Sequence, residues 1–171
     1  MNWYRNIIAS RVPTDLDVDY SEFKKPIVKE FIKYIEEILS NPNLEKIRKQ
    51  TLKPSSKDKN NISKNEIGKI KDFKVFFVNG NEVKIKFFMD FVEGGNGMVY
   101  GVKHDETQPN YIPEDEIWVD ADLDLSSFPY VLMHEAIEMN LMKEEKLEYD
   151  KAHQKANGVE KKLRIKKHFE K

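Results

Sequence analysis

Three ionisable residues sit where apolar ones are expected. In the stretch SSFPYVLMHEAIEMNLM, residues 126 to 142, His134, Glu135 and Glu138 lie within a helical pattern that is otherwise almost wholly apolar. His134 and Glu138 are four apart, so on a helix their side chains stand one above the other on one face. They fall inside the stripe formed by Tyr130, Met133, Ile137 and Leu141. A carboxylate buried there must be paired, neutralised or bound to a metal. A second imidazole, His153, follows after a short connection, in YDKAHQKANGVEKKLRIKKH. Two imidazoles and one carboxylate converging from two helices make a zinc-like ligand set with room for water. Glu135, beside the first ligand, is then the candidate base for that water.

Other residues near this constellation have two readings each. Asp150 precedes His153 by three residues and can orient an imidazole from behind, or it is an acidic first-turn residue favoured by the helix dipole. Glu160, seven after His153, is an extra ligand or one half of a surface salt bridge. For the cluster itself, the alternative to a metal site is a buried His–Glu pair that fixes two helices against each other. His104 and His168 lie in polar surroundings and read as surface residues.

The elements that must position these groups are legible. Ser126 or Ser127 can cap the first helix, and Pro129 fits its first turn. A helix apolar nearly all round is buried. The last helix is expected from about Tyr149 to His168, with Ala152, Ala156, Val159 and Leu163 as its apolar stripe. The short link predicts antiparallel neighbours, and the small Ala residues let them approach closely.

Upstream, residues 1 to 52 read as an N-terminal helical region: a short helix at 2 to 10, a helix from 21 to 39 and another near 43 to 51. Residues 53 to 66 read as a mobile basic loop. Residues 67 to 171 form the core, and the whole is expected to be one domain. FKVFFV and EVKIKFFMDFV flank Asn79-Gly80-Asn81, which predicts a β-hairpin. GGNG predicts a turn, MVYGVKH a third strand and EIWVD a short strand before the active helix. Helices, then a small antiparallel sheet, then two helices make the fold class α+β.

Composition narrows the function classes. The chain has 171 residues, enough for a real core. It has no cysteine, which excludes disulfides, thiolate metal sites and Cys nucleophiles. Charged residues are 35% of the chain but the formal net charge is only -1, so the excess describes a salt-rich surface. No apolar run approaches the ~20 residues of a membrane span, and the first residues lack a secretion signal. A cytoplasmic protein is expected. The Lys-rich stretches, 46 to 74 and 160 to 171, could touch nucleic acid through phosphates. They lack interleaved aromatic residues, and a solvated surface is the favoured reading.

HEAIE resembles the HExxH helix of the zincin metallopeptidases, with Glu138 at the place of the second His. In the gluzincin branch two His come from HExxH and a Glu from a following helix; here the last two are exchanged, and the His-His-Glu set is kept. The succession of strand EIWVD, active helix and ligand helix is similar to the smallest zincin-like domains. The pattern MHEAIE…LMK…YDKAHQKANGVE also resembles small uncharacterised proteins of phages and prokaryotes. The resemblance spans about residues 115 to 165. It implies zinc held by His134, Glu138 and His153, Glu135 as catalytic base, and a peptide or protein substrate. The extra carboxylate admits manganese or iron as well. The second expectation is a non-enzymatic, phage-derived binding or assembly protein, with a structural His–Glu cluster and working basic segments.

Overall fold

A computed structural model describes residues 25–53, 61–87, 93–95 and 112–170. In chain order the elements are α1 (Pro26–Leu39), α2 (Leu44–Thr51), β1 (Lys64–Ile70), β2 (Phe73–Val78), α3 (Gly80–Phe87), β3 (Glu93–Gly95), β4 (Glu116–Asp120), α4 (Phe128–Glu144) and α5 (Tyr149–Ile165). The class is α+β, with helices first and two helices last, as expected. The short helix expected at 2 to 10 and the strand MVYGVKH lie outside the described residues.

Local chemistry sets the ends of α1. Lys25 is held extended by the proline that follows it, and Pro26 opens the helix where its missing N–H costs nothing. Val28, Phe31, Ile35 and Ile38 recur at helical spacing and are buried. In α2, Arg48 pairs with Glu45 and donates to the Ala121 carbonyl at 3.0 Å, tying this helix to the end of β4.

The sheet has the order β1-β2-β4-β3. It is mixed rather than antiparallel. The β1–β2 and β3–β4 pairs are antiparallel, but β2 and β4 run parallel, with Val75 opposite Ile117 and Phe77 opposite Val119. A parallel pair requires a crossover between its strands, and residues 79 to 115 supply it. The composition of β2 carries the reason. FKVFFV is apolar on both faces, as a central strand covered on both sides must be. One face packs against α1, α4 and α5; on the other, Phe76, Val78, Val83, Ile112 and Trp118 form a second, smaller cluster.

The hairpin expected around Asn79-Gly80-Asn81 is not formed. Gly80 instead starts α3. The Gly80 N–H donates to Asp120 Oδ1 at 3.1 Å and the Glu82 N–H to Asn79 Oδ1 at 3.3 Å, so free donors of the helix start find acceptors. The true hairpin partner of β2 lies upstream, and Lys64 to Glu66 of the expected loop belong to it. A bulge between Glu66 and Gly68 interrupts that pairing. Gly68 has φ +156°, and a Cβ there would lie 2.6 Å from Ile38 Cγ1, so glycine lets α1 approach β1. Of GGNG, Gly94 and Gly95 fall in β3.

Every residue of α4 from Phe128 to Met142 is buried. Ser127 occupies the N-cap position, but no side-chain cap bond forms; the first turn follows a tight bend at Asp124, whose Oδ1 accepts from the Ser126 N–H at 2.9 Å. The chain reverses through Glu145 to Glu148, with Lys146 at φ 54°. α5 then returns along α4. Among the described residues, no helix is long and apolar enough to cross a membrane.

Candidate metal centre

Residues four apart on α4 meet residues of α5 in successive rungs. Tyr130 meets Arg164, His134 meets Glu160, and Glu138 meets His153. Rising numbers on one helix pair with falling numbers on the other, the antiparallel arrangement expected. The alanines at 152 and 156 are fully buried at the contact, which permits this close approach.

The third rung and the ring of His134 bring three donor atoms together. His134 Nε2 lies 3.2 Å from His153 Nδ1 and 3.3 Å from Glu138 Oε2, and His153 Nδ1 lies 2.7 Å from the same oxygen. These three residues form a group that could hold a metal ion. The spacing suits one. Metal–donor bonds of about 2.0–2.1 Å in a tetrahedron set donors about 3.3–3.4 Å apart. Two of the three separations are within about 0.2 Å of that range, and the third needs only a small opening. The donor set, two imidazoles and a carboxylate, is borderline-soft and suits zinc, with iron or manganese also accommodated.

Burial is uneven, and that matters chemically. The side chains of His134 and Glu138 are 6% and 2% exposed, whereas His153 is 40% exposed. The cluster is dry at its back and open on the His153 side. Tyr149 stands at that opening, with its hydroxyl 3.5 Å from His153 Nδ1. Glu135, next to His134 in the chain, is also buried.

The charges lock together. Burial opposes a charge on His134, but its close contacts with Glu138 and Glu160 and the nearby charge of Glu135 outweigh it. They push its pKa up to about 10. For Glu138, burial favours the neutral acid, yet contacts with His134 and His153 hold it below the usual carboxylate value. Glu160 is likewise lowered against its burial, by His134 and Arg164. Without a metal, a protonated His134 therefore lies between two carboxylates.

No family model, no curated protein and no solved structure matches this chain.

The structure brings together His134, Glu138 and His153, the three ligands named from sequence. Asp150 is elsewhere: it is exposed in the first turn of α5 and, among the described residues, makes no hydrogen bond or ion pair. The carboxylate that does sit behind an imidazole is Glu160. Its Oε2 is 3.1 Å from His134 Nδ1, displaced from the ring N–H direction, while its Oε1 accepts from Arg164 Nε at 2.8 Å. The salt bridge expected for Glu160 exists, but its side chain is only 20% exposed and it has this second partner. Its place was detectable in principle: seven residues is two turns, so Glu160 shares the face of His153. Tyr149 carried no such signal.

Proposed function

We propose that this chain is a metal-dependent hydrolase with a zincin-like site, acting on peptide or protein substrates. His134 Nε2, Glu138 Oε2 and His153 Nδ1 would hold the ion, with zinc the first choice. When bound, the ion supplies Lewis acidity and makes water acidic enough to ionise near neutral pH. The rest is the work of the chain. Glu138 and His134, fixed in the core of α4, give the donor set its geometry. Glu135, buried one position after His134, would accept the proton of the attacking water. His153, on the open side, leaves a route for substrate.

The observation that carries this reading is the convergence of two imidazole nitrogens and a carboxylate oxygen within 3.3 Å of one another, two of the three residues buried in the interior of α4. The 2.7 Å contact of His153 with Glu138 also favours a second reading. In it the cluster is a structural ion pair holding α4 to α5, and the chain is a binding or assembly protein that works through its basic segments.

Metal analysis by plasma mass spectrometry on untagged protein separates the two. The hydrolase reading expects about one ion per chain, in keeping with a single three-ligand site. It expects that ion to be lost in His134→Ala and His153→Ala and kept in Glu135→Gln. Peptide hydrolysis should then vanish in Glu135→Gln. A wild-type chain that neither carries nor takes up zinc, manganese or iron leaves the structural reading standing.

A further inference from the structure

Behind His134, away from the donor cluster, two further rungs continue toward the start of α4. Glu160 Oε2 lies 3.1 Å from Nδ1 but off the ring N–H direction, a contact that a small turn of the carboxylate would convert into a hydrogen bond. Arg164 holds the other oxygen of Glu160 at 2.8 Å. The Arg164 guanidinium in turn lies 4.7 Å over the ring of Tyr130, which is 2% exposed. An i,i+4 pair adds little to a helix, so pairing with Arg164 alone is a weak reason to draw Glu160 inward.

A better reason lies in the imidazole. A neutral histidine offers one nitrogen lone pair, and its other nitrogen must carry hydrogen. For Nε2 of His134 to face a cation, Nδ1 must bear the proton, and a carboxylate there selects that tautomer and fixes the ring. Among the described residues, Glu160 is the carboxylate in contact with Nδ1.

We infer that Glu160 is a positioning residue for the metal ligand His134, and that Arg164, laid over Tyr130, sets where Glu160 points. The inference rests on the reading of the cluster as a metal site. It assigns the orienting role to a residue two turns after His153 rather than to Asp150.

The test is zinc affinity, measured by competition with a chromophoric chelator on the full chain. The variants are Glu160→Ala, Glu160→Gln, Arg164→Ala, the Glu160→Ala/Arg164→Ala pair, and Asp150→Ala. Loss of the orienting carboxylate should weaken zinc binding by about 10–100-fold. Glu160→Gln, which keeps an acceptor, should fall between wild type and Glu160→Ala. Arg164→Ala should lose less than Glu160→Ala, and the double variant no more than Glu160→Ala, because the arginine acts through the glutamate. Asp150→Ala should bind like wild type. Long-range 1H–15N spectra of the zinc-loaded wild type should show His134 protonated at Nδ1. Wild type that binds zinc alongside Glu160→Ala with equal affinity overturns the inference and leaves the metal reading intact. Losses that add in the double variant overturn the part played by Arg164. Wild type that binds no zinc overturns the metal reading and this inference with it. If Glu160→Ala fails to fold by circular dichroism, Glu160→Gln decides, and unchanged affinity in it is again the overturning result.

Discussion

The proton on His134 must leave before an ion can take its place, and this gives metal binding a calculable pH dependence. With its pKa up at about 10, His134 is protonated in the metal-free protein at pH 7. Displacing a proton held three units above the working pH costs about 4 kcal/mol, or a factor of about 1,000 in affinity. Apparent zinc affinity should therefore rise about tenfold per pH unit from about pH 7 upward, as long as His134 stays mostly protonated in the metal-free protein. About one proton should be released per ion, read by calorimetry in buffers of different ionisation heat. Metal-free stability should move the other way. A His whose pKa rises from 6.5 in the unfolded chain to about 10 contributes fully below pH 6.5, and that contribution is lost as pH climbs through 10. Glu138 and Glu160, with lowered values, contribute above their unfolded 4.5 and lose that contribution as pH falls. Urea unfolding of stripped protein should thus show its maximum between about pH 4.5 and 6.5 for these three groups. Zinc affinity that is flat with pH, together with metal-free stability that holds steady from pH 6.5 to 10, would refute the charged-histidine picture.

Other perturbations test the frame around the site. Gly80→Ala places a methyl group on the Asp120 carboxylate at the start of α3, and thermal melts should show a loss of about 1–3 kcal/mol. Phe77→Ala removes a ring that is 1% exposed and packs 5.1 Å from Phe128 at the start of α4; urea unfolding should register about 3–5 kcal/mol. Lys64→Ala strips the ammonium 2.6 Å from buried Glu116, while the Trp118 indole N–H still donates to it at 2.6 Å. The expected loss is about 1–2 kcal/mol, and a double-mutant cycle with Glu116→Gln should recover part of it.

Four of the five described helices were legible in the sequence because their cues are local; α3 was expected as a strand. Apolar spacing and Pro129 at a first turn act within a few residues; Pro26, which opens α1 after an extended Lys25, is an equally local cue that the expected start at residue 21 passed over. The sheet was less legible because pairing is not local. Asn79-Gly80 satisfies the composition of a hairpin turn, but the Asp120 carboxylate, forty residues on, turns the same dipeptide into a helix start. Likewise, Lys64 to Glu66 look like loop until the apolar face of β2 needs a neighbour. The His134–Glu138–His153 cluster was readable for the same reason as the helices: two turns of α4 and a short return of α5 carry it. Asp150 and Glu160 show the limit of that reading. Both are whole turns or nearly so from His153, and only the packing of α5 on α4 decides which one reaches an imidazole.

The reach of the chain between the donors has its own consequence. Glu138 and His153 lie on neighbouring helices joined by one tight reversal, so an ion bound to both would cross-link a short loop. Closing a short loop sacrifices less chain entropy than closing a long one. An ion held by Glu138 and His153 would therefore clasp α4 to α5 at a small cost in chain entropy.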